Sequence, residues 1–245
     1  YFDKKVAEQI NKLNFSPDII VFTNVFAHIE NLEELINNLK LIITPNTTLV
    51  IENHYLGSVL KYGQFDTFYH EHPRTYSLES FKFIAKKLNM SFFAAEFVSR
   101  YGGNIRAYLG NNNKKKIINK KEENYVKLFS RMKKNLDTWR QKTKKKISSH
   151  VKNNGKFLAK AFPGRAAILI KLLNLNENHI SAVYEIKGSI KTNHYVPGTR
   201  IPILPEFMLY LKKKINQPIL NLAWHLPREV RKNLKTNGYK GKVID

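Results

Sequence analysis

Ile19-Ile20-Val21-Phe22-Thr23-Asn24 decides the fold: an apolar, largely β-branched run enters after Pro17-Asp18 and ends at an asparagine. A short unbroken apolar run of this kind predicts a strand buried on both faces. A second such run, Leu49-Val50-Ile51-Glu52-Asn53, follows after a helical segment. That segment opens at Asn31, read as an N-cap with Glu34 as its capping-box partner. Its apolar face is Leu32, Leu35, Ile36 and Leu39, and it ends near Pro45-Asn46. Strand, helix, strand in this order implies a parallel sheet joined by a right-handed crossover. In open α/β sheets ligands sit outside the carboxyl ends of the strands, which is where Asn24 and His28 fall. Asn53, His54 and Tyr55 stand at the exit of the second strand.

Working outward, Val6, Ile10 and Leu13 give an amino-terminal helix over Lys4 to Leu13. Ser77 caps a further helix through Leu88, with Ser80 in the capping-box position. Met90 to Val98 and Ile105 to Leu109 read as strands around Tyr101-Gly102-Gly103-Asn104, whose glycines permit a tight antiparallel connection. Tyr125, Leu128, Phe129, Met132, Leu136 and Trp139 recur at spacings of three and four, so the stretch from Asn111 to Asn154 reads as a helical linker. Beyond Gly155 alternation returns. Strands are expected at Lys156 to Ala159, Ile180 to Tyr184 and Ile219 to Ala223, and helices at Gly164 to Leu173 and Phe207 to Lys213. The chain therefore divides into an α/β domain over 1–110, a basic helical linker over 111–154 and a second small α/β domain over 155–245.

At 245 residues, 42% apolar and 25% charged, the chain is long enough for one large or two modest cores. No apolar run approaches the roughly 20 residues a membrane helix needs, so no membrane partner is expected. The absence of cysteine removes disulfides and thiolate zinc sites, and fits a cytoplasmic setting. The net charge of +23 raises a nucleic-acid reading, but 17 Lys and Arg against 3 acids lie between Asn111 and Lys160. Much of that charge sits in low-complexity Lys/Asn runs, which read as solvated helix faces rather than as a phosphate-binding stripe. Only Arg131, Trp139 and Arg140 interleave cation and aromatic.

The densest chemistry is Phe65-Asp66-Thr67-Phe68-Tyr69-His70-Glu71-His72. An imidazole beside a carboxylate is the make-up of a general base near neutral pH, and a phenol can donate to a developing oxyanion. His70 and His72 also have the spacing of a metal pair. With no cysteine and the other histidines distant in sequence, no metal is expected.

Three blocks carry a resemblance: Asn24-Val25-Phe26-Ala27-His28-Ile29-Glu30-Asn31-Leu32, Gln64 through His72, and Gly102-Gly103-Asn104-Ile105-Arg106. Together with Val196-Pro197-Gly198-Thr199-Arg200-Ile201-Pro202-Ile203 and Ala223-Trp224-His225-Leu226, they make the chain resemble the S-adenosylmethionine-dependent sugar C-methyltransferases. Members of that family methylate carbon 3 of nucleotide-linked 4-keto-deoxysugars. The resemblance implies a partial Rossmann-like class I methyltransferase domain, a helical linker and a second α/β domain that helps hold the nucleotide-sugar. It implies S-adenosylmethionine as cofactor, His72 as base with Glu71 orienting it, Tyr69 as enolate stabiliser and His28 facing the sugar. Asn24 would lie beside the methyl donor, and Gly102, Gly103 and Asn104 near the substrate. Which histidine takes the proton is open on spacing alone.

The chain also departs from that pattern. Nothing before Lys12 supplies the Gly-rich loop that follows the first strand in such enzymes, nor the Cys-rich zinc module. The resemblance thus places residue 1 inside the methyltransferase domain, and weak cofactor binding is expected. In the second domain, Ala161-Phe162-Pro163-Gly164-Arg165 replaces a glycine-rich turn, and Pro163 removes an amide donor at a helix start that would face an anion. Lys187, Lys191 and Arg200 remain as cations for a diphosphate. Two other functions stay open at this point: a nucleotide-sugar-binding protein without methyl transfer, and a basic nucleic-acid-binding protein.

Overall fold

The computed structural model describes residues 2–111, 122–211 and 215–245. The chain forms two units, Tyr1–Met132 and Lys133–Asp245.

The first unit opens with α1 (Lys4–Lys12), capped by Asp3, whose carboxylate accepts from the Val6 amide at 2.9 Å. β1 (Ile19–Thr23), α2 (Leu32–Lys40) and β2 (Thr48–His54) follow as the apolar runs predict. Asn31 caps α2 through the Glu34 amide at 3.1 Å, and Glu34 closes on the Asn31 side chain rather than on its backbone. After α3 (Leu56–Lys61), α4 (Leu78–Lys87) starts with a complete capping box made by Ser77 and Ser80. β3 (Ser91–Val98) and β4 (Asn104–Gly110) close the sheet.

Its strand order is β1-β2-β4-β3, with β1 and β2 parallel and the other pairs antiparallel. Because side chains alternate along a strand, the β2–β4 register sorts functional from structural positions. Leu49, Ile51 and Asn53 share a face with Leu109, Ala107 and Ile105, while Val50, Glu52 and His54 share the other with Tyr108, Arg106 and Asn104. The first face forms the core with Leu35, Leu39, Phe81 and Ile84 of α2 and α4.

The expectation that Ile19 to Phe22 is buried on both faces fails. β1 lies at the sheet edge, with Ile20 and Phe22 packed on the core and Ile19 and Val21 at 64% and 60% exposure. An apolar run reports that a strand is present, but its place in the strand order decides how many faces are covered.

α5 (Tyr125–Asn154) begins in the first unit and ends in the second. The helix expected from Asn111 is present from Tyr125, and residues 112–121 lie outside the described residues. Leu128 and Met132 pack with Leu60 of α3. In the second unit Ile147 joins a core of Phe157, Ile170, Leu173, Ile180 and Val183.

That unit is a sheet of order β7-β6-β5-β8-β9, with every pair parallel. β5 (Phe157–Lys160), α6 (Ala166–Leu173), β6 (Ile180–Glu185) and β8 (Ile219–Asn221) match expectation. β7 (Ile203–Pro205), α7 (Pro227–Thr236) and β9 (Val243–Ile244) were not anticipated. The helix expected over Phe207 to Lys213 is instead a 3-10 turn, Glu206–Tyr210, ended by Leu211 in extended backbone. Residues 212–214 lie outside the described residues. Among the described residues no helix is long and apolar enough to cross a membrane.

Candidate active site

β1 ends where Asn24 takes a left-handed conformation, φ 54°, one of the few non-glycine residues that does so readily. The chain then turns into a 3-10 helix, Phe26–His28. Phe26 is fully buried, edge-on to Phe22 and Tyr76 at 5.4 Å each, so it anchors the turn and leaves His28 exposed. A second 3-10 turn, Phe65–Thr67, buries Asp66 and Thr67 and carries the chain into Phe68 to His72.

These two turns and the end of β2 bring their rings together. His28 lies 4.7 Å from His72, Tyr69 4.5 Å from His72 and His54 5.3 Å from His72, all between ring centroids. Tyr101 is 6.2 Å from His54. The sequence reading treated the other histidines as remote from the 70–72 pair. Folding removes that separation, yet no group of three or more His, Asp or Glu among the described residues has the arrangement of a metal site.

Nδ1 of His72 lies 3.0 Å from the Thr67 carbonyl. A carbonyl only accepts, so Nδ1 carries a proton, and in the neutral ring it is Nε2 that has the basic lone pair. The orienting contact expected from Glu71 is therefore made by backbone. Glu71 instead accepts from the Tyr69 hydroxyl at 2.9 Å and stands 3.9 Å from Nε2 of His70. In this arrangement the phenol proton expected to stabilise an enolate is donated to Glu71.

A second set of groups converges on the same sheet end. Asn104 is fully buried and donates Nδ2 to Asn24 Oδ1 at 2.8 Å and to Glu52 Oε1 at 3.4 Å. Arg106 holds Glu52 Oε2 with Nε and Nη2 at 3.0 and 2.8 Å, and reaches Glu96 with Nη1 at 2.9 Å. Its guanidinium is pushed above its already high pKa, chiefly by the hydrogen bond to Glu52 and then by one to Tyr108.

Gly102 and Gly103 have φ of +80° and +120°, and Tyr101 before them is left-handed at 51°. A Cβ on Gly102 would meet Gln64 Nε2 at 2.5 Å and one on Gly103 would meet Ser58 at 2.6 Å. Gln64 already donates to the Gly102 carbonyl at 2.6 Å. The glycine pair is thus packed on α3 and its following turn, and it is Tyr101 that it presents to His54. Sequence reasoning set His54 at the exit of the second strand without a role, and gave none to Glu52, Tyr101 or Arg106. Alternation along β2 could have put Glu52 and His54 on one face, but their partners depend on β4 pairing with β2, which no local signal specifies.

Toward S-adenosylmethionine the fit is partial. Asn24 offers an amide donor at the carboxyl end of β1. Gly57, just after β2 in the chain, has the Tyr55 ring only 2.4 Å from its Cβ position, so protein fills that space.

In the second unit, the turn after β5 places Ala161 at φ 64°. One amide of that turn meets an internal anion: Glu185, at the end of β6, accepts from Phe162 N at 2.5 Å and, with its other oxygen, from its own neighbour Ile186 N at 3.2 Å. Lys191 donates to the Phe162 carbonyl at 2.6 Å, so this candidate diphosphate cation is engaged by backbone. Lys187 and Arg200 are exposed. The buried Lys160 pairs with Glu206 at 2.6 Å, and the buried Arg165 guanidinium lies 5.2 Å from the Trp224 ring centre.

A family model described as the C-methyltransferase C-terminal domain matches residues 99–244, which takes in Tyr101 to Asn104 and the second unit up to Ile244, and begins downstream of the histidine cluster. The curated C-methyltransferase NovU of Streptomyces niveus is 28% identical over 104 residues, 42% of this chain and 25% of that protein. The matched stretch thus spans about a quarter of the length of that relative.

Proposed function

Because the chain belongs to the C-methyltransferase C-terminal-domain family, we propose that it serves methyl transfer to the carbon beside the ketone of a nucleotide-linked keto-deoxysugar. A ketone acidifies the neighbouring C–H. The step asked of the protein is removal of that proton and stabilisation of the enolate that results. The observation that carries this reading is the 3.0 Å contact of His72 Nδ1 with the Thr67 carbonyl, in a ring that stands beside those of His28 and Tyr69.

Within this reading Nε2 of His72 accepts the proton, and the Thr67 carbonyl stabilises the imidazolium through Nδ1–H. Tyr69 turns its hydroxyl from Glu71 to the enolate oxygen, a hydrogen bond worth more as negative charge develops. His28 lines the sugar side. Asn24 holds the cofactor, and S-adenosylmethionine when bound supplies an electrophilic methyl group. Gly102 and Gly103 bound the substrate through the Tyr101 turn, whereas the expected substrate contact Asn104 is fully buried and reaches the site only through Asn24.

The test is to incubate the chain with S-adenosylmethionine and a nucleotide-linked 4-keto-deoxysugar and to follow the mass of the sugar. A methylated product is expected, falling by about 100- to 10,000-fold in His72→Ala, the range a general base contributes. An equal rate in the variant would remove His72 from the role.

A further inference from the structure

We propose that Glu52 is a positioning residue which, through Asn104, fixes Asn24 with its amide N–H2 group turned toward the candidate site. The ligand atom complementary to Asn24 is then an acceptor, a carboxylate or a keto oxygen, and not a donor.

The inference follows from which groups can donate. A carboxylate is acceptor-only, whereas an asparagine amide has one end of each kind. Glu52 is 4% exposed and its Oε2 takes two donors from Arg106, at 3.0 and 2.8 Å. Its Oε1 therefore faces Asn104 as an acceptor and selects the Nδ2 end of that side chain, at 3.4 Å. The same nitrogen then gives its other proton to Asn24 Oδ1 at 2.8 Å. With its oxygen drawn inward, Asn24 turns Nδ2 the other way. Asn104 Oδ1 is buried with no hydrogen-bond partner among the described residues, so this orientation is held at the expense of an unmet acceptor. That is the mark of an amide whose direction is dictated by a stronger group, here an ion-paired carboxylate.

The backbone fixes the rest of the geometry. The Asn24 amide donates to the Glu52 carbonyl at 2.8 Å, and Asn24 sits at φ 54°, so main chain and side chain of both residues are locked to each other. Placing Asn24 in the ligand site rests on the methyltransferase reading. The direction of its amide does not.

Glu52→Gln inverts the relay with almost no change in shape. Arg106 presents two donors to one side of residue 52, so the glutamine keeps its oxygen there and offers its N–H2 to Asn104. Asn104 answers with Oδ1, and Asn24 flips to donate inward. The readout is solvent exchange of side-chain amide protons in the chain labelled with 15N-asparagine. In the wild type the Asn24 N–H2 exchanges fast and the buried Asn104 N–H2 slowly. In Glu52→Gln the Asn24 protons slow by about five- to tenfold, the effect of one hydrogen bond of ordinary net strength.

Protected Asn24 protons in the wild type, or unchanged exchange in a folded variant, would overturn the proposal. Should the variant not fold, the wild-type comparison of Asn24 with Asn104 decides by itself. The measurement needs no ligand, so the relay can fail while methyl transfer stands, and methyl transfer can fail while the relay stands.

Discussion

Asn53 gives the sharpest test of how the first sheet is built. It is 1% exposed, stands opposite the fully buried Ile105, and neither its Oδ1 nor its Nδ2 has a hydrogen-bond partner among the described residues. Its neighbours Glu52 and His54 point to the other face, so Asn53 projects into the apolar layer under α2 and α4. A buried polar group left unpaired costs about 1–3 kcal/mol, and apolar replacement of the same shape recovers it. Asn53→Leu keeps the branching and exchanges both polar ends for methyls, so the first unit should gain about 2 kcal/mol. For a domain of this size that corresponds to a rise in Tm of about 4–8 °C. Thermal unfolding followed by near-ultraviolet circular dichroism reads it directly. A Tm unchanged or lowered in the variant would show that Asn53 is satisfied in solution, and that the packing drawn for this face is wrong.

Three further outcomes are expected. Gly103→Ala, at φ +120° and against Ser58, should destabilise the first unit by about 2–3 kcal/mol in urea unfolding, whereas Gly63→Ala, at φ +66° in open space, should cost about 1 kcal/mol; equal effects would refute the packed turn. Glu206→Ala strips the buried Lys160 ammonium of its partner and should cost the second unit about 3–5 kcal/mol, and a loss below about 1 kcal/mol would mean that the pair is solvated. Tyr76 donates to the Phe26 carbonyl, and burial pushes its phenol up to about 12. A folded-state value above the unfolded one favours the neutral form, so its contribution is intact below pH 10 and lost as pH rises toward 12, about 3 kcal/mol in all. Tyr76→Phe should flatten that alkaline decline in stability; an unchanged slope would place the loss elsewhere.

The strands of the first sheet, and β5, β6 and β8 of the second, were legible because their signals are local, whereas the short edge strands β7 and β9 were not. Apolar runs marked β1 and β2, Asn31 and Ser77 marked helix starts, and spacings of three and four marked α5. What depended on pairing was not. The exposure of Ile19 and Val21 follows from β1 lying at an edge, and the Glu52–Arg106 and His54–Tyr101 contacts follow from β4 entering beside β2. α7 buries only Val230 and Leu234, too narrow a face to stand out from sequence. In the site, the clustering of phenol, carboxylate and imidazole over 69–72 was visible. The assignment of Glu71 to Tyr69, and of the Thr67 carbonyl to His72, required the 3-10 turn that folds the segment back on itself.

The central claim is that Nε2 of His72 takes a proton from carbon. It is tested most directly without a methyl donor, by incubating the chain with a nucleotide-linked 4-keto-deoxysugar in deuterated water and following the hydrogens beside the ketone by NMR. Wild-type chain should wash in deuterium at one of those positions, and His72→Ala should do so at least about 100-fold more slowly. No exchange above background with the wild type, or the same exchange in both proteins, would contradict it.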